Sequence, residues 1–87
     1  MTLHCQVHMR GLTDETDYHI LIGWVPKSAA KLNNVLKVDG KPGYWRVDAV
    51  FKLAIPLKEL REIQRMDRDS LPSLKVKNVT PRPALHG

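Results

Sequence analysis

The chain is poor in the residues that staple, chelate or span. One cysteine, Cys5, stands among 87 residues, which excludes an internal disulfide framework and a zinc site built on several thiolates. Aromatics make up 6% of the chain, with a single phenylalanine, so any core must rest mainly on aliphatic side chains. Long apolar runs are missing too. The longest, Ile20 to Pro26, falls far short of the ~20 residues a bilayer-spanning helix needs. No basic-then-apolar leader opens the chain, so a cytoplasmic setting is expected, with no membrane partner. What is present, 43% hydrophobic and 26% charged residues, suits one folded domain. A chain of this size buries roughly 60–65% of its unfolded surface, enough for a modest core.

Acidic residues are scarce where basic ones gather. The net charge is +5, yet residues 1–26 are slightly acidic, with Arg10 against Asp14, Glu15 and Asp17. Residues 27–52 hold Lys27, Lys31, Lys37, Lys41, Arg46 and Lys52 against only Asp39 and Asp48. Residues 71–87 add Lys75, Lys77 and Arg82 with no acid at all. Two such segments make one anion-attracting face if the fold joins them; a solvated surface carries scattered charge in any case.

Period-two alternation marks Thr2 to Met9 as a strand, Leu3, Cys5, Val7 and Met9 facing one way and Thr2, His4, Gln6 and His8 the other. Gly11 to Asp17 reads as a loop. Tyr18 to Val25 is almost continuously apolar, which predicts a central strand buried on both faces and joined to the first as a long-looped hairpin. After Pro26, Lys27 to Leu32 predicts a helical turn or two. Val35 to Val38, the turn Asp39-Gly40-Lys41-Pro42-Gly43, and Tyr44 to Lys52 predict a second hairpin. In it Trp45, Val47, Ala49 and Phe51 share one side. Pro56 opens a helix to about Asp69 with Leu57, Leu60, Ile63 and Met66 as its apolar stripe. Leu74 to Val79 reads as a short edge strand guarded by Lys75 and Lys77, and residues 80–87 as a flexible tail. The fold class is therefore α+β. Residues 1–79 form a single domain, with a small antiparallel sheet or partly open SH3-like barrel of four to five strands and one main helix.

Few constellations carry chemistry. In a strand His4 and His8 stand roughly 13 Å apart at ~3.3 Å per residue, too far to share one ion, and Cys5 faces the opposite way. That place in an apolar row makes Cys5 a small buried hydrophobe rather than a nucleophile. The acids Asp14, Glu15 and Asp17 lack the spacing of a calcium loop. Gly40-Lys41-Pro42-Gly43 lacks the spacing of a phosphate loop, and its proline removes a backbone donor. No enzyme, metal site or cofactor is expected.

Basic residues interleaved with aromatics stand above this background. Lys37, Lys41, Arg46 and Lys52 lie on or beside the second hairpin with Tyr44 and Trp45. Tyr44 and Arg46, two apart on a strand, present a flat ring and a guanidinium together, as single-strand binders do. Trp45 belongs to the apolar row and reads as core, leaving Tyr44 as the exposed ring. Lys27 and Lys31 add charge upstream. The expected partner is an anion, a nucleic acid or nucleotide. The competing reading is a protein-binding module, an inhibitor of a host system or a homodimeric accessory protein.

The run Trp24 to Val38 (W-V-P-K-x-A-x-x-L-N-x-V-L-K-V), followed by a glycine turn and W-R-V-x-x-V to Val50, resembles a pattern in short uncharacterised proteins of tailed phages. The resemblance covers about half the chain and brings no functional residue with it. It implies a phage or bacterial origin and action in the host cytoplasm. For small non-structural phage proteins it also implies binding a host protein or sequestering an anionic signal nucleotide.

Overall fold

The computed structural model describes residues 2–14 and 19–79; the expected 80–87 tail, and Glu15, Asp17 and Tyr18, lie outside them. Five strands and one helix follow in the order β1 (Leu3–Gly11), β2 (Ile20–Pro26), β3 (Val35–Val38), β4 (Trp45–Pro56), α1 (Leu57–Met66) and β5 (Val76–Asn78). The strands form one antiparallel sheet, β2-β1-β4-β3-β5, so the class is α+β. Among the described residues no helix is long and apolar enough to cross a membrane.

Strand β1 buries Cys5, Val7 and Met9 as its alternation predicts. It pairs with β2 from His4 opposite Pro26 to Arg10 opposite Ile20, the expected hairpin. Strand β2, however, is not central. It lies at one end of the sheet, with Gly23 and Val25 buried and Ile20 52% exposed. Its apolar run is covered by a loop instead of a second strand. The Trp24 N–H donates to the Pro72 carbonyl at 2.9 Å, and the Leu74 N–H to the Trp24 carbonyl at 2.8 Å. The sheet is not closed: an isolated parallel bridge, Trp24 to Ser73, ties β2 to the loop before β5, and β2 and β5 share no ladder.

Strand β4 departs from simple alternation. Its register against β1 slips between His8 and Met9 and again between Cys5 and Val7. The slip at His8 leaves Asp48 as an extra residue between Val47, opposite Met9, and Ala49, opposite His8. An odd insertion flips the following side chains to the other face. Val50 therefore joins the core side opposite Val7, and Phe51, expected inside, turns out against the His8 ring with centroids 5.0 Å apart.

Strand β4 continues past Lys52 to Pro56, which is the N-cap of α1 and not part of its first turn. The helix ends at Met66, and of its stripe Leu60 is fully buried while Met66 is 81% exposed. Residues 27–32 form turns and no helix. Short-range bonds such as Ala29 N–H to the Pro26 carbonyl turn the chain back quickly, so that Ala29 reaches the core. That core gathers Val7, Met9, Val25, Leu36, Val38, Trp45 and Val47.

Candidate anion-binding face

The β3–β4 turn takes its shape from two glycines. Gly40 and Gly43 hold φ of 81° and 71°, a left-handed conformation that side-chain-bearing residues adopt only at a cost. Trp45 anchors the turn: its ring is buried, and its Nε1–H donates to the Pro42 carbonyl at 3.2 Å. Tyr44, next to it, points the other way and is 48% exposed. The ring expected inside and the ring expected outside are so placed.

Strand β5 adds the second basic segment. It pairs antiparallel with β3, Leu36 opposite Asn78, Lys37 opposite Lys77 and Val38 opposite Val76. Leu36 and Val38 are buried, so the lysines between them and across from them lie outside. The Asp39 N–H donates to the Lys75 carbonyl at 2.8 Å, locking the turn to the approach of β5. A cleft of about 640 Å³ opens between these two stretches, walled by Lys37, Lys41, Lys75 and Lys77, with Asp39 the one acid lining it.

Lys37 is held in place. Its Nζ donates to the Gly43 carbonyl at 3.2 Å and stands 5.7 Å from the centroid of the Tyr44 ring. Ammonium and ring thus meet within cation–π range, Lys37 lining the cleft and Tyr44 not.

Arg46 lies on β4, two residues past Tyr44, which precedes the strand, and is engaged. Its Nε donates to Asp48 at 2.9 Å, and Arg10, opposite Arg46 in the ladder, approaches the same carboxylate at 3.3 Å. The Arg46 hydrogen bond above all, with the charges of both guanidiniums, holds the Asp48 carboxyl below its ordinary value against a smaller opposing effect of burial. Lys41 also differs from a phosphate-loop residue, since its N–H already donates to the Val38 carbonyl at 3.1 Å.

Lys27, Lys31 and Lys52 are not brought to this cleft. The Lys27 N–H bonds the Leu3 carbonyl, whereas the hairpin tip lies beyond Gly11 at the other end of β1, about 26 Å away at ~3.3 Å per residue. Lys31 sits between β2 and β3, and Lys52 in the irregular stretch of β4. In their stead the fold supplies Lys75 and Lys77. The acid-free composition of 71–87 was the signal for them; their partner strand left none in the sequence.

His4 is buried at 7% exposure, against the alternation, opposite Ile55 and beside a second cleft with Leu57 and Arg61. Its Nδ1 has no hydrogen-bond partner. Among the described residues no three His, Cys, Asp or Glu side chains stand together as metal ligands would. Compared with family models, curated proteins and solved structures, the chain matches none.

Proposed function

We propose that the chain is a non-enzymatic binding module whose basic face takes an anionic partner, a nucleic acid or a nucleotide. The pairing of Lys37 opposite Lys77 carries this reading. Like charges directly opposite in a ladder destabilise it. An anion seated between them turns that repulsion into attraction, and Lys41 and Lys75 on the same cleft add to it. Tyr44 offers a flat face beside the charge, suited to stacking on a base. Arg46 and Arg10 are a reserve, their two charges offset by one from Asp48. The scaffold reads as a partly open SH3-like barrel in which Trp24 ties β2 to Ser73 of the loop before β5. Sequestration of an anionic signal nucleotide, which the tailed-phage resemblance implies, is one form of the same reading.

Fluorescence anisotropy with labelled single-stranded and duplex oligonucleotides, and with a labelled dinucleotide, tests it at about 50 and about 200 mM salt. With four lysines engaged, counterion release predicts a loss of roughly 50- to 150-fold in polymer affinity over that range. Lys37→Ala with Lys77→Ala should weaken binding about tenfold or more, and Tyr44→Ala should weaken single strands more than duplex. Absence of binding to every probe at the lower salt overturns the reading.

A further inference from the structure

A second cleft, of about 490 Å³, runs between α1 and the stretch that leads into β5. Leu57, Arg61 and Gln64 stand at i, i+4 and i+7 of the helix, so one helical face lines it. Leu74, Lys75 and Val76 line it from the other segment, with His4 of β1 and Pro26 of β2 completing it. Both segments are held in place. The Gln64 Nε2–H donates to the Leu71 carbonyl at 2.9 Å and to Ser73 Oγ at 3.1 Å. The Leu74 N–H donates to the Trp24 carbonyl at 2.8 Å. A space of this size falls within the range of small-molecule sites.

The unsatisfied groups around this cleft point to its ligand. His4 is 93% buried, at 7% exposure, and its Nδ1 has no partner among the described residues. A buried polar atom left so is costly and rare. Arg61 and Lys75 are exposed, and neither side chain has an ion-pair partner among the described residues. No Asp or Glu lines the cleft. Pro26, Leu57, Leu74 and Val76 make the rest of it apolar and half-buried. Water alone does not suit this mixture, since a bound water needs about two to four polar partners and aliphatic walls give it none. We propose that the cleft binds a small carboxylic acid with an apolar body. The body lies on the aliphatic side chains, and the carboxylate accepts from Arg61, whose planar fork matches it, and from Lys75. There it also supplies the hydrogen-bond partner that the His4 imidazole lacks. This inference does not rest on the anion-binding reading. Lys75 borders both clefts, so the test turns on Arg61 and His4.

NMR titration of the isotope-labelled full chain with sodium octanoate, to about 5 mM, should give saturable shifts with a Kd of about 1 mM or below. The shifts should fall on residues 57–64 and 73–76 and on the His4 ring nitrogens. Octanol, which lacks the charged head, and acetate, which lacks the tail, should each bind at least about tenfold more weakly. Arg61→Gln should stay folded, since the side chain is exposed. It should lower octanoate affinity about tenfold and leave that of octanol unchanged. His4→Phe, close in size and free of the orphaned atom, should hold its urea midpoint and weaken octanoate about threefold or more. Lys37→Ala with Lys77→Ala should bind octanoate as wild type does, because neither lysine lines this cleft. Absence of a saturable shift overturns the proposal. So does octanol binding as tightly as octanoate, and so do shifts confined to residues 37–41 and 77 of the lysine cleft.

Discussion

Asp48 shows how one residue redirects both packing and charge. As the extra residue of the β4 irregularity it sends Phe51 outward, and its carboxylate draws Arg46 and Arg10 together. Two adjacent guanidiniums hold its pKa below the ordinary value. A depressed folded-state pKa contributes stability that is present above the unfolded value, ~3.9, and lost as pH falls through the folded one. The group is largely solvated, so the effect is small. Asp48→Asn should flatten the fall in urea midpoint between about pH 5 and about pH 2 relative to wild type. An unchanged acid limb would show that the pair contributes nothing. The same substitution frees two arginines and should raise affinity for the anionic probes by about two- to fivefold. The split between Trp45 and Tyr44 was legible because neighbours in extended chain face oppositely, although Tyr44 itself lies just before β4. The flip at Phe51 was not, since no residue type announces an insertion whose partner strand is forty positions away.

The contact between β2 and the loop leading to β5 rests on a glycine. A Cβ at Gly23 would come within 2.7 Å of the Leu74 side chain and 2.8 Å of the Pro72 carbonyl. The side chain can shift, but Pro72 O is the acceptor for Trp24 N–H and is fixed by it. Gly23→Ala should therefore cost about 1–3 kcal/mol, the usual range for overpacking, seen as a lower urea midpoint with unchanged slope. Because β5 carries Lys77, amide exchange at residues 74–79 should quicken more than in β1, and anion affinity should fall with it. Uniform quickening would mean that this contact is not a separable unit. Hairpins were readable because their cues are local, as in the glycine turn at 40–43. The end position of β2 was not: its apolar run looks the same whether a strand or a loop covers it. The helix likewise read by its proline and its stripe, but only packing decides that Leu60 is buried and Met66 is not.

At the scale of the molecule, the basic face exists only when the chain is folded. Lys37 and Lys41 come from one segment and Lys75 and Lys77 from another, joined by the β3–β5 ladder. The charge excess of both segments was legible in the sequence, and their meeting was a matter of topology. An anion that binds this face and not the unfolded chain must stabilise the fold by mass action, by about 2.7 kcal/mol at a hundredfold excess over Kd. For a domain of this size that is a rise in Tm of roughly 10–20 °C. Pyrophosphate at low millimolar concentration, set against sodium chloride of equal ionic strength, separates specific binding from screening. Wild type should gain stability in pyrophosphate well beyond its gain in chloride. The Lys37→Ala, Lys77→Ala double variant should differ chiefly in its response to the anion. Without ligand its Tm should change little, relief of the opposed charges offsetting loss of the Lys37 bond to the Gly43 carbonyl, and with pyrophosphate it should gain little. A double variant that melts lower without ligand yet keeps the full pyrophosphate shift would place the anion elsewhere on the molecule and remove the cleft from its function.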